Sequence, residues 1–282
     1  MTQEPPPEAP VLEPEGETFC PLLSALDAAE PKPALTEAST TKKNYAQRLS
    51  NGLAQVIADA LRPDWPNITP DKEGRGQEAR VRVAAGMKRL DVKVTDDTLG
   101  LLLSVSIKTL SFQDFSAKNG PGRFTKNVVR NDHELRGEAA VLHQRQPYAV
   151  VIGVLFTPVE AALDGAGAGV SSLAHMVKTF RKRAGRGRQQ VIGVDRPAFV
   201  LIGGEDQRHD RLERMYLGLY EWQGARRGHV RFVDVEGSVP VRGLPRAEST
   251  LAFDDFIALV TAEVRIRNET APTWTDDASD DE

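Results

Sequence analysis

Between residues 44 and 61 the side chains Tyr45, Leu49, Leu53, Val56, Ile57, Ala60 and Leu61 recur every three or four positions, the spacing of a helix with one buried face. Pro63 and Pro66 end it. The period then falls to that of strands. ARVRVA (79–84), KRLDVKV (88–94) and LGLLLSVSIKT (99–109) are apolar or alternating runs joined by turn-sized links, which predicts an antiparallel three-strand meander. A polar loop, QDFSAKNGPGRFTKN, comes next. From 128 to 145 the apolar stripe of Leu135, Ala139 and Leu142 predicts a helix capped by Asn127 and stopped by Pro147. YAVVIGVLF (148–156) is apolar throughout, as expected of a strand buried on both faces. Beyond it the pattern predicts a helix over 171–183, a short buried strand AFVLIG (198–203), a helical segment over 212–222, a strand HVRFVDV (229–235) and a last helix over 253–267. This order predicts one α/β domain whose mixed sheet is an antiparallel meander followed by parallel strands, with helices on both faces.

Charge refines the boundaries. The chain has 282 residues, 40% of them hydrophobic, which is enough for a core. Its net charge is −4, from 36 Lys and Arg against 40 Asp and Glu. Residues 1–38 and 269–282 hold 14 of the acids and one base, which leaves 35 bases against 26 acids, a net of +9, over residues 39–268. The composition predicts an acidic, Pro-rich disordered tail over 1–38, one domain over 39–268 and an acidic disordered tail over 269–282. The basic body suits a polyanion partner as well as it suits a solvated surface. No apolar run approaches the roughly 20 residues that span a bilayer, and the first thirty residues lack the basic start and apolar stretch of a signal peptide. Cys20 is the single cysteine. The expectation is a cytoplasmic protein with no membrane association.

The chemistry concentrates at the meander. In SVSIKT, alternation sets Ser104, Ser106 and Lys108 on one side of an otherwise apolar strand. Such a strand rarely ends on a lysine that lacks a partner. Asp91, on the preceding strand, is one candidate partner. The following helix adds Glu134 and Glu138, on one face because they are four residues apart. Two or three carboxylates with one ammonium are the minimum set for metal-assisted phosphodiester cleavage. Mg²⁺ takes one or two carboxylates with waters and phosphate oxygens, and a nearby lysine can orient a water or offset charge in the transition state.

On these residues, and on the order helix, meander, helix, buried strand over 44–156, the chain resembles the PD-(D/E)XK, or restriction-endonuclease-like, nuclease superfamily. The resemblance implies that Asp91 is the second-strand aspartate and Lys108 the lysine of the third-strand motif. Ser106 stands where most members have an acid, and no proline precedes Asp91. The chain is similar to the variant in which a glutamate on the next helix replaces the missing acid, here Glu134 or Glu138, with 112–127 as an insertion. The implied metal ligands are Asp91, Glu134 and Glu138, the implied cofactor is Mg²⁺ or Mn²⁺, and the implied partners are DNA and a second copy in a homodimer.

Other residues carry weaker signals. Lys118, Arg123, Lys126 and Arg130 lie in or beside the loop and are the expected backbone contacts on nucleic acid. The basic run KTFRKRAGRGRQQ (178–190) is a second candidate. Gln47 on the first helix and Glu78 at the first meander strand are more simply surface groups. GAGAG (165–169) and GGE (203–205) lack the context of nucleotide loops, and the five histidines lack zinc spacing. The expected function is a metal-dependent DNA endonuclease in restriction or defence against foreign DNA, a step carried by fold analogy. The alternative is a catalytically inert nucleic-acid-binding or interaction subunit of a larger DNA-processing complex.

Overall fold

The computed structural model describes residues 20–83, 86–165, 169–191, 198–201 and 206–269. Two helices open it, α1 (Leu23–Ala29) and α2 (Ser39–Leu61). Then come strands β1 (Ala79–Val83), β2 (Gly86–Leu90), β3 (Val92–Asp96) and β4 (Gly100–Thr109), and a minimal hairpin of β5 (Phe115–Ser116) and β6 (Gly120–Pro121). Helix α3 (Val128–His143), strand β7 (Val150–Pro158) and helix α4 (Ser172–Phe180) follow. The chain closes with β8 (Arg188–Val191), β9 (Ala198–Leu201), β10 (Arg214–Tyr220), β11 (Val230–Asp234) and α5 (Phe253–Asn268).

Five strands form the main sheet in the order β11-β10-β7-β4-β3. β3 runs antiparallel to β4; β4, β7 and β10 are parallel; β11 returns antiparallel to β10. The α/β class and the mixed sheet therefore agree with the sequence pattern. One core joins Leu103, Val105 and Ile107 of β4 to α1, α2 and α5. A second, on the other face, joins Val151 and Leu155 of β7 to Leu135 and Ala139 of α3 and to Met176 and Phe180 of α4. β7 is buried along its whole length, as its uninterrupted apolar sequence predicts.

Four expectations need correction. Residues 20–38 are not a tail. Leu22, Ala25, Leu26 and Ala29 are buried against α2, and a Cβ on Gly52 of α2 would come within 2.8 Å of the Ala25 Cα, so the two helices touch closely. The segment over 212–222 is strand β10, not a helix. Hydrogen-bonded to β7 and β11 and buried from Met215 to Tyr220, it follows its tertiary setting rather than its ambiguous local pattern. At Gly218 a Cβ would lie 2.7 Å from the Phe156 ring, so the strand needs glycine there. Third, β9 pairs with β8 in a hairpin of its own and stays out of the main sheet. Last, Asn127 precedes α3 in a left-handed conformation (φ 70°), and its side chain makes no capping bond.

The meander is also divided. β1 and β2 form a separate two-stranded ribbon, and the chain bends at Asp91 before β3 enters the main sheet. The bend, rather than a strand position, is what aims Asp91. Cys20 is half-buried. No helix among the described residues is long and apolar enough to cross a membrane. Of the two glycine-rich stretches, 166–168 and 203–205 lie outside the described residues.

Candidate active site

β4 positions the lysine. Its alternation turns Leu103, Val105 and Ile107 into the α2–α5 core and leaves Ser104, Ser106 and Lys108 to the side of α3. Ser104 and Ser106 are buried, and Lys108 Nζ, near the strand's end, reaches Glu138 Oε1 at 3.0 Å. Ser106 donates a hydrogen bond to the same carboxylate. Glu134, one turn earlier on α3, lies 3.6 Å from Lys108 Nζ. Both glutamates thus reach the lysine across the intervening loop over 110–127.

Asp91 does not bridge to Lys108. Its Oδ2 accepts the backbone N–H of Ile107 at 2.6 Å, so it is anchored to the main chain of β4 while Lys108 is held by the helix. The two charges still sense each other. Burial, with the nearby Glu138 and Glu78 carboxylates, pushes the Asp91 carboxyl up to about 6, against the opposing pull of the Ile107 N–H and of Lys108. On Lys108 the order reverses. Burial alone would lower its pKa, but Glu138, Asp91 and Glu134 together outweigh burial and raise it. Burial likewise pushes Glu138 up, yet Lys108, Lys88 and the Ser106 hydroxyl hold it below the usual range. At neutral pH the cluster holds an ionised Glu138, a charged Lys108 and a carboxyl at Asp91 that is destabilised as an anion.

Lys88, on β2, joins the cluster although the pattern of the chain does not single it out. Its Nζ also lies 3.0 Å from Glu138 Oε1, so two ammonium groups share one carboxylate oxygen. The sequence offers only a weak signal for it, a lysine three positions before Asp91. The β1–β2 ribbon has to fold back over α3 before the two meet.

The remaining candidates separate into rim and scaffold. Gln47 Nε2 donates to Glu78 at 3.4 Å, and Arg89 pairs with Glu78 at 2.7 Å. Glu78 adopts φ 52°, a conformation that costs a non-glycine residue energy. Arg130 is occupied by Glu134 at 2.7 Å. Lys118 and Lys126 are exposed, whereas Nε and Nη2 of Arg123 are buried with no hydrogen-bond partner. In the run over 178–190, Lys178, Arg181 and Lys182 are exposed and three arginines are spent inside the fold. Arg183 pairs with Asp132 (2.7 Å) and Arg186 with Glu213 (2.9 Å), while Arg188 pairs with Glu263. His143 is fully buried against Glu213 at 3.1 Å, away from any exchange with substrate.

For a divalent cation the fitting donors are Asp91 and Glu138, hard oxygen ligands of the kind Mg²⁺ and Mn²⁺ take, one or two at a time with water and substrate oxygens. The desolvated carboxyl of Asp91, which accepts the Ile107 N–H but makes no ion pair within 4.0 Å among the described residues, is the observation that favours a cation there. Among the described residues no group of three or more Asp, Glu, His or Cys side chains is gathered at ligand spacing, and Glu134 is turned to Arg130 and Lys108. No protein-family model, curated protein or solved structure matches the chain.

Proposed function

We propose that the chain is a metal-dependent DNA endonuclease of the restriction-endonuclease-like type, which hydrolyses phosphodiester bonds and acts against foreign DNA. The observation that carries the reading is the convergence of Asp91, Glu138 and Lys108, from a strand bend, a helix and a strand end, on one half-buried site. Asp91 and Glu138 would hold Mg²⁺ or Mn²⁺, which when bound supplies Lewis-acid polarisation of the phosphoryl group. Lys108, charged and fixed by Glu138, would orient the attacking water and offset negative charge that grows on the phosphate oxygens. Ser106 holds Glu138 in place, and Glu134 restrains the lysine from the other side. The exposed Lys118 and Lys126 would add sequence-independent contacts to the backbone.

Purified protein should nick or linearise plasmid DNA with Mg²⁺ or Mn²⁺. EDTA, Asp91→Ala and Lys108→Ala should each abolish the activity. Cleavage that survives both substitutions would refute the assignment.

One observation favours a second reading, an inert DNA-binding subunit: the single well-placed helix carboxylate, Glu138, is already bonded to two lysines. Binding without cleavage under all metal conditions would select it. A homodimer and a larger assembly are further proposals of the same kind, to be settled by the mass of the protein in solution with and without DNA.

A further inference from the structure

The ribbon of β1 and β2 has two different faces. Its register pairs Arg80 with Arg89, Arg82 with Met87 and Val81 with Lys88. Directly opposed residues share a face of an antiparallel pair, as do residues two apart. Arg80, Arg82, Met87 and Arg89 therefore lie on one face, and Val81, Lys88 and Leu90 on the other. The second face points inward. Leu90 is buried in the α3 core, Val81 packs against the same core, and Lys88 reaches Glu138. The first face points out: Arg80, Arg82 and Arg89 are exposed, and Met87 is 58% exposed.

The described residues give that outer face no structural partner beyond Glu78. Like charges set directly across a ladder repel, and segment 79–90 contains no acid. Glu78 offsets Arg89. Among the described residues no carboxylate comes within ion-pair distance of Arg80 or Arg82, in contrast to Arg183, Arg186 and Arg188. Among the described residues the ribbon also joins no third strand. A free two-stranded ribbon fits the DNA major groove, about 12 Å wide, and guanidinium groups match phosphate oxygens in pairs.

We infer that the β1–β2 ribbon is a docking arm for duplex DNA: its outer arginines grip backbone phosphates while its inner face carries Lys88 to the Asp91–Glu138 cluster. The inference rests on the nuclease reading above and adds the surface by which substrate arrives. Among the described residues Lys88 has a single carboxylate partner, and its side chain is 32% exposed, against 17% for Lys108, so of the two it is the better placed to leave Glu138 for an incoming phosphate.

The test is equilibrium binding of the full chain to a short fluorescent duplex in EDTA, over a series of KCl concentrations. Arg80→Gln with Arg82→Gln should weaken binding by about tenfold and lower the slope of log K against log [KCl] by about 1 to 2, near 0.9 for each phosphate that is no longer neutralised. Arg80→Lys with Arg82→Lys should restore the slope. Both pairs should keep the wild-type unfolding temperature, because neither arginine supports the fold. Unchanged affinity and slope in the glutamine variant would overturn the docking arm and leave the nuclease reading standing. Tighter binding by that variant, the mark of a ribbon that seats the chain's own acidic ends, would overturn it as well. A wild-type chain that binds no duplex at any salt would remove both readings.

Discussion

Lys108 Nζ and Glu138 Oε1 lie 3.0 Å apart although 30 residues separate them. One group ends a central strand and the other sits in the middle of the helix that follows. The contact brings a carboxylate of α3 to the strand that carries Ser106, whose hydroxyl donates to the same group.

Glu138→Ala should reduce DNA cleavage by at least about 100-fold, the scale of losing one electrostatic group from a preorganised site. The same change leaves Lys88 and Lys108 without their shared partner and should destabilise the protein by about 3 kcal/mol, as breaking a buried ion pair does. Glu134→Ala, at a half-exposed position beside Arg130, should cost less than about 1 kcal/mol. Cleavage rates and denaturant unfolding of the two variants check both halves, and equal losses would contradict this geometry.

If Asp91 holds the metal of the proposed nuclease, it should give stability and cleavage opposite pH dependences. Its carboxyl is raised from 3.8 to about 6, so between those values the folded state binds more protons than the unfolded one. Stability therefore falls as pH rises through this window. Asp91→Asn should be more stable than wild type above pH 6, by on the order of 2–3 kcal/mol, and yet inactive. Wild-type cleavage should fall as pH drops through about 6 and Asp91 takes up its proton. Urea titrations at pH 4 and pH 8, with a pH–rate profile, give the comparison.

A cation that binds only the folded state must raise its unfolding temperature. Millimolar Mn²⁺ should do so for the wild type at pH 7.5 and should do little for Asp91→Asn or Glu138→Gln. This readout does not need turnover. An equal rise in all three proteins would place the metal elsewhere.

Leu26, buried in α1 at 2% exposure, should destabilise the protein by about 2–4 kcal/mol when replaced with alanine. A disordered tail would give no change. Thermal unfolding of Leu26→Ala distinguishes the two.

Glu213 tests a purely structural charge. It is fully buried, and although burial pushes its carboxyl up, His143, Arg186 and Arg267 hold it down at about 2. Its stabilising contribution is complete above its ordinary 4.5 and is lost as pH falls toward 2. Glu213→Gln should cost about 3–5 kcal/mol at neutral pH, since it strands two buried guanidinium groups. Cleavage per folded molecule should remain at the wild-type level.

The local pattern of the chain by itself determined α2, α3, α5 and the continuous strand β7, because helical spacing and uninterrupted apolar runs report burial directly. It also singled out Asp91, Lys108, Ser106 and the two α3 glutamates as candidates, through residue type and strand alternation. Tertiary structure decided the rest. β10 is a strand because β7 and β11 offer hydrogen bonds on both sides, a fact that no window of sequence contains. α1 is ordered because Gly52 lets it approach α2. Glu138 rather than Asp91 is the partner of Lys108, and Lys88 joins them, because the Asp91 bend and the fold of the ribbon over α3 set distances between residues far apart in the chain. Charge pattern alone singled out the run over 178–190 and the cations Lys118, Arg123, Lys126 and Arg130, and passed over Arg80, Arg82 and Arg89 of the ribbon. Burial took Arg183, Arg186 and Arg188 of that run out of the reckoning, since a guanidinium taken out of water must find a carboxylate within the protein, while Arg80 and Arg82, left outside, remain available to a partner.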